Sequence, residues 1–130
     1  MSAAFRIEVD PDRDLMRMAL SGFFDASAVQ AFAAERARCF KELRCAPDQA
    51  LTLADVRGMT IQSQDMVPAF GALLADPKLR SRRLAFVVTS ALGRMQLQRA
   101  IGRRDAQVFT DPSEAETWLL QGDATASAAA

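Results

Sequence analysis

The sequence predicts an α/β fold, a single domain with a mixed five-stranded sheet and four helices. First, two segments near the start alternate apolar and polar residues on either side of the turn residues 10–14, which indicates an antiparallel hairpin. Second, the later strand-like segments alternate with helical ones, which predicts parallel strands joined by right-handed crossovers. Third, 130 residues, of which 50% are hydrophobic, can supply one core but not two.

The hairpin and the first helix occupy the first third of the chain. Residues 5–9 and 15–22 have the two-residue period of half-buried strands. A helix follows over about residues 26–44, where the side chain of Asp25 or Ser27 can accept hydrogen bonds from the first turn. Helical spacing predicts a buried stripe of Val29, Phe32, Ala33, Phe40 and Leu43. The polar residues predicted to face mainly outward are Arg36, Arg38, Lys41 and Glu42.

The middle of the chain predicts a buried strand and a second helix. Residues 50–56 are short and apolar, which favours a strand covered on both faces. The helix lies within residues 62–76 and begins near Asp65, because Pro68 lacks an N–H and is tolerated only in a first turn.

The last third predicts strand, helix, strand and helix. Residues 84–90 are apolar on both sides and predict a central strand, and Ser90 can begin a helix over 91–101. Residues 106–109 predict a short strand, followed by the helix start Asp111-Pro112-Ser113-Glu114. Its inner face is predicted to be Ala115, Trp118 and Leu119. We expect the domain to span residues 1–121 and residues 122–130 to form a disordered tail.

The charge balance argues against a general attraction to nucleic acid or to anionic membranes. Sixteen basic residues face sixteen acidic ones. Their distribution is uneven, because residues 57–105 hold nine bases and three acids, whereas residues 106–130 hold four acids and no base. We interpret these charges as solvated outer faces; the alternative is a basic face that meets an anionic ligand or an acidic partner. Aromatic residues are not interleaved with the arginines, so we expect no nucleic-acid binding.

The sequence predicts a reduced, cytoplasmic location. No apolar run approaches the length of a membrane span, so we expect no stable membrane insertion, and the first residues do not resemble a secretion signal. Cys39 and Cys45 do not form a disulfide framework, and we interpret them as free thiols, with Cys39 near the buried side of its helix.

The residue inventory argues against catalysis, cofactors and metals. The chain has no histidine, no glycine-rich phosphate loop and no pair of acids placed for general acid–base work. Asp10, Asp12 and Asp14 lack the glycine and glutamate of a calcium loop, so a solvated turn is favoured. Asp55 ends a strand as a phosphoacceptor aspartate does, but the acidic pair that would hold magnesium is missing.

Four segments together resemble a known family. They are LMRMALSG (15–22), LTLADVRG (51–58), LAFVVTSAL (84–92) and VFTDPSEAETWLL (108–120). They are similar to the STAS-like proteins, and within them to the SpoIIAA-like, uncharacterised bacterial branch related to anti-sigma-factor antagonists. The resemblance covers roughly residues 5–121. It implies a small cytoplasmic module that binds a partner protein and is not an enzyme.

The resemblance also implies a regulatory serine at the start of the helix after the third strand, within an Asp-Ser-Ser-Gly motif. This chain has Thr60-Ile61-Gln62-Ser63-Gln64-Asp65 in that region. Ser63 is the nearest match in position and Thr60 the second, but no glycine follows, and a helix-capping or loop role for Ser63 is the favoured alternative. The predicted partner-binding surface runs from Asp55 and Arg57 to Asp65 and includes Ser90.

A small-molecule or lipid carrier is the alternative function. In that hypothesis the helix of residues 62–76 is a movable lid over an apolar pocket. Its apolar residues are Met66, Val67, Phe70, Leu73 and Leu74, and ordinary core packing explains the same residues. A homodimer is also possible on this sequence.

Overall fold

The computed structural model describes residues 3–43, 49–59, 81–90, 95 and 106–129. The strands are β1 (Ala4–Asp10), β2 (Leu15–Gly22), β3 (Leu51–Met59), β4 (Arg83–Val87) and β5 (Ala106–Phe109). The helices are α1 (Ala26–Phe40) and α2 (Pro112–Ala129).

The five strands form one mixed sheet in the order β1-β2-β3-β4-β5. β1 pairs antiparallel with β2, and each later neighbour is parallel, so the predicted sheet is confirmed. The described residues form two helices and not four. The predicted helix of residues 62–76 lies outside the described residues, and so does that of 91–101 apart from Met95, whose backbone is helical.

The turn between β1 and β2 agrees with the predicted chain reversal. The N–H of Arg13 donates to the carbonyl oxygen of Asp10 at 3.2 Å. Asp14 then adopts a left-handed backbone with φ of 52°, which aspartate tolerates better than most residues. The carbonyl oxygen of Asp14 accepts a 2.8 Å bond from the N–H of Leu51, and this bond begins the pairing of β2 with β3.

Of the two predicted caps of α1, Asp25 and Ser27, the structure uses Asp25, whose Oδ1 atom accepts a 2.8 Å hydrogen bond from the N–H of Ala28. The predicted stripe is buried at Val29, Phe32, Phe40 and Leu43. Cys39 is also buried, as expected, and its thiol is free; burial, followed by a hydrogen bond to Glu35, raises the pKa of that thiol.

The prediction that Arg36 faces outward is wrong. This side chain is only 1% exposed, and its guanidinium carbon lies 5.9 Å from the centre of the Phe40 ring. Position 36 lies four residues from both Phe32 and Phe40, so helical geometry places it on the buried stripe. The aliphatic stem packs with apolar neighbours while the guanidinium meets an aromatic face.

The sheet buries a hydrophobic cluster on each face. The face beneath α1, called here the α1 face, carries alternate residues of all five strands, namely Phe5, Ile7, Val9, Met16, Met18, Leu20, Ala54, Leu84, Phe86, Ala106 and Val108. The opposite face, called the α2 face, carries Leu15, Leu51, Leu53, Ala85 and Val87 against Ala115 and Leu119 of α2. α2 packs on β3, β4 and β5. Leu15 at the start of β2 is buried in this cluster, but the part of the α2 face that carries Arg6, Ala19 and Ser21 is left without a helix among the described residues.

The start of α2 agrees with its predicted cap. The Oδ1 atom of Asp111 accepts a 2.9 Å hydrogen bond from the N–H of Ser113, and Trp118 packs on Phe109 with ring centres 5.8 Å apart. The helix continues to Ala129, through the segment predicted as a disordered tail. Alanine, the strongest helix former, dominates that segment and favours helical backbone. The domain boundary at residue 121 stays a prediction.

Two adjacent leucines of α2 test how the helix is held to the sheet. Leu119 is 1% exposed and Leu120 is 37% exposed. We expect Leu119→Ala to lower the free energy of unfolding by about 2–5 kcal/mol, because it leaves a cavity on the α2 face. Leu120→Ala changes the same side chain on the same helix and should cost less than about 1 kcal/mol. Urea unfolding measures both, and equal losses would contradict the packing described.

Candidate functional site

The predicted site residues on β3 lie at the carboxyl end of the parallel strands. Asp55 pairs in register with Val87, which is the last residue of β4. β3 then continues to Met59 with β2 as its partner, so Arg57 and Gly58 extend beyond the end of β4. Ser90 follows β4 at the same end and is exposed. In open α/β sheets this end is where ligands usually bind.

A bulge in the pairing of β2 with β3 shapes this end. Ala19 stands opposite Asp55, whereas Ser21 stands opposite Gly58, so β3 has one more residue than β2 over this interval. Bulges of this kind redirect side chains and often occur next to functional sites. The strands also approach closely, because a Cβ atom on Gly58 would lie 2.8 Å from the Cβ atom of Ser21.

Asp55 and Arg57 form a two-pronged ion pair. The Nε atom of Arg57 donates to Oδ1 of Asp55 at 2.9 Å, and Nη2 donates to Oδ2 at 2.8 Å. The backbone N–H of Arg57 adds a 3.1 Å bond to Oδ1. These hydrogen bonds, with the guanidinium charge, lower the pKa of Asp55 although its partial burial opposes the shift. The carboxylate is therefore ionised at neutral pH and is not a proton donor.

An open cavity lies beside this ion pair, and we call it the β1–β3 trough. Its volume is about 610 Å³. It is lined by Ala4, Phe5, Arg6, Ala19, Leu20, Ser21, Asp55, Arg57 and Gly58. The lining combines small residues with the charged side chains of Arg6, Asp55 and Arg57. The trough occupies the part of the α2 face that α2 does not cover.

Arg17 marks the boundary between the trough side of the sheet and α2. Its guanidinium forms an ion pair with Glu116 of α2 and lies 4.0 Å from the Oδ2 atom of Asp10. Because Arg17 is on β2 and Glu116 on the helix, this ion pair joins α2 to the N-terminal hairpin. The attachment holds the edge of α2 in place next to the open strands.

The structure brings together only part of the predicted site. Asp55 and Arg57 are in direct contact, and Ser90 is at the same end of the sheet. Thr60 and Ser63 lie outside the described residues. Arg6, Ala19, Ser21 and Gly58 were missed as site residues. The alternation of small side chains at positions 19 and 21 was a usable signal, but only once the hairpin partner and the uncovered face were known.

The side chains of the trough can form ion pairs and hydrogen bonds. Its charged groups are guanidinium and carboxylate, and the carboxylate is held ionised. Within the described ranges, no three histidine, cysteine or acidic side chains are grouped so that they could hold a metal ion. A search of the same residues for a helix both long and apolar enough to cross a membrane finds none.

Comparison with known proteins identifies the fold. No family model matches the sequence, and no curated protein matches it. An uncharacterised DUF3478-family protein with a SpoIIAA-like fold from Shewanella loihica PV-4 superposes with a TM-score of 0.70 at 16% identity, over 90% of this chain and 93% of that chain. An anti-sigma factor antagonist from Mycobacterium paratuberculosis gives a TM-score of 0.62 at 12% identity, over 91% and 94% of the two chains. The chain therefore has the STAS-like, SpoIIAA-like fold that the sequence predicted.

The close approach of Gly58 to Ser21 can be tested by adding a Cβ atom at position 58 and removing the one at position 21. Gly58→Ala should lower the free energy of unfolding by about 1–3 kcal/mol, because the new methyl group meets the Cβ atom of Ser21. Adding Ser21→Gly removes that atom, so the double variant should unfold close to Ser21→Gly alone. Urea unfolding of the four proteins gives the coupling energy. Strictly additive losses would show that the two positions do not conflict.

The ion pair predicts a titration change at Asp55. Arg57→Gln removes the guanidinium, so the pKa of Asp55 should rise toward its ordinary value. Because the native pKa of Asp55 is depressed, the pair stabilises the fold above the unfolded pKa, and this contribution is lost as pH falls through the native pKa. Carbon NMR of the carboxyl group measures the shift. Lys41→Gln, an equal loss of charge at the residue that follows α1, is the control, and an unchanged Asp55 titration in Arg57→Gln would refute the pairing.

Proposed function

We propose that this chain is a non-catalytic, cytoplasmic regulatory module that binds a partner protein, and that the β1–β3 trough is the docking surface. The observation that carries the proposal is the part of the α2 face that no described helix covers, where a charged trough lies at the carboxyl end of β3. The shared fold with an anti-sigma factor antagonist supports a protein partner.

The composition of the trough suits a protein segment. Ala19, Ser21 and Gly58 have little or no side chain, so an incoming chain can approach the sheet closely. The lining contains two arginines, Arg6 and Arg57, and one acid, Asp55, so its formal net charge is positive. This charge favours a partner segment that carries an acidic side chain. A lipid carrier fits this surface less well, because the trough is open and carries three charges.

Phosphorylation at Ser63, or at Thr60, is the regulatory step of the proposal. Thr60 follows Met59, the last residue of β3, and Ser63 is three residues further along the chain. A phosphate would add about 1.5 to 2 negative charges close in sequence to Arg57. Such a group would compete with an acidic partner segment for the same guanidinium and would weaken docking.

Blocking the trough tests the docking surface. Ala19→Arg places a long side chain over the small residues of the lining, while Ala34→Arg makes the same change on the exposed side of α1. Proteins captured from cells of the source organism by wild type are identified, produced and titrated by calorimetry. We expect Ala19→Arg to weaken the captured partner's binding at least about tenfold, and Ala34→Arg to bind as wild type does.

The same titration tests the switch separately. Ser63→Asp should bind the partner more weakly than Ser63→Ala, because only aspartate adds negative charge. Identical binding by wild type and both Ser63 variants rules out the switch and leaves the docking surface standing. Undiminished binding by Ala19→Arg overturns the docking surface itself.

A further inference from the structure

In the described part of the chain, β1 is the edge strand of the sheet, and one row of its backbone groups faces outward. Among the described strands it pairs only with β2. The Leu51 N–H donates to the Asp14 carbonyl oxygen, so even-numbered residues at the start of β2 turn their backbone groups toward β3. Odd-numbered residues of β2, such as Arg17 and Ala19, then turn theirs toward β1.

The antiparallel register with β2 determines which residues of β1 direct their backbone groups toward β2. Arg17 is opposite Glu8 and Ala19 is opposite Arg6, so those two residues of β1 make the ladder hydrogen bonds to β2. The backbone N–H and C=O groups of Phe5, Ile7 and Val9 consequently point to the outer edge. An exposed row of this kind is a template for another strand.

The side chains of β1 alternate in chemistry as well as in direction. Phe5, Ile7 and Val9 lie on the α1 face and are half-buried. Arg6 and Glu8 lie on the α2 face, where their side chains are 78% and 56% exposed, and Nε of Arg6 is 3.4 Å from Oε1 of Glu8. Ile7 thus has an apolar residue two positions away on each side, Phe5 and Val9. Its immediate neighbours, Arg6 and Glu8, carry opposite charges.

We propose that a second copy of this chain pairs with β1, antiparallel, about a two-fold axis through Ile7. In this register Phe5 meets the partner's Val9 and Ile7 meets the partner's Ile7, each pair exchanging two backbone hydrogen bonds. Arg6 then stands opposite the partner's Glu8 at a non-hydrogen-bonded position, where facing side chains are closest. The two-fold axis makes this charge pair twice.

The charges select this register over its neighbours. A shift of two residues in one direction keeps the backbone matched but places Arg6 opposite the partner's Arg6. The opposite shift places Glu8 opposite the partner's Glu8. Like charges facing each other across a ladder are destabilising. A shift of one residue breaks the backbone match altogether.

The resulting dimer has a continuous ten-stranded sheet, and it places the partner's Glu8 beside Arg6 at the margin of the trough. The interface is built mainly on a strand of seven residues. The area that two such strands bury is smaller than the roughly 1,600 Å² of a standard stable interface. We therefore expect a monomer–dimer equilibrium that depends on protein concentration. The inference does not depend on the proposed function, and its test uses this chain alone.

Charge reversal and exchange test the pairing. Sedimentation velocity over a range of protein concentrations gives the dimer dissociation constant. Arg6→Glu and Glu8→Arg each turn both charge pairs repulsive, so each should weaken the dimer at least about tenfold. The double variant Arg6→Glu/Glu8→Arg restores opposite charges in the same register and should dimerise as wild type does. Lys41→Glu changes the net charge as Arg6→Glu does and should leave the equilibrium unchanged.

Three outcomes overturn the inference. They are a wild-type protein that is monomeric at every concentration, a dimer that neither single reversal weakens, and single reversals that the exchange does not rescue. Circular dichroism of each variant checks the fold, which surface changes at these exposed positions should leave intact.

Discussion

The parallel pairing of β2 with β3 is the interaction on which the rest of the structure depends. It joins the N-terminal hairpin to the parallel part of the sheet, and its own side chains are buried on both faces, Met18 and Ala54 on one and Leu15 and Leu53 on the other. Its first bond, from Leu51 to Asp14, accompanies the register that places Leu15 of β2 opposite Leu51 of β3. Its last residues contain the bulge that aligns Gly58 with Ser21. The same pair of strands therefore forms part of the hydrophobic core at one end and part of the trough at the other.

Much of the fold could be predicted, because local chemistry defines the ends of its elements. The bounds of β2 and β5 were predicted correctly, and residue type indicated the cap at Asp111 and offered Asp25 as one of two caps for α1. β3 is longer than predicted because its last residues pair across a bulge that depends on β2, which is distant in sequence. The charge of Arg36 favours an exposed position, but its helical spacing from Phe32 and Phe40 places it on the buried stripe.

The site was less predictable than the fold. Asp55 and Arg57 could be placed at the end of a strand because the apolar run stops there. Arg6, Ala19 and Ser21 could not be assigned to a site, because their exposure depends on where α2 packs. That helix covers β3 to β5, and its position is fixed by Leu119 and by the ion pair of Arg17 with Glu116. The trough is thus a product of tertiary packing and has no local signature.

The chain order of α2 has a consequence for biosynthesis. α2 follows all five strands in the sequence, and it alone among the described elements covers Leu51, Leu53, Ala85 and Val87. During translation the sheet can assemble on its α1 face before α2 has left the ribosome. Synthesis from the end of β5 to Ala129 takes about 1–4 seconds at ordinary rates of about 5–20 residues per second, and in that interval no described element covers this apolar surface. That interval is when chaperones would find a binding surface and when neighbouring nascent chains could aggregate.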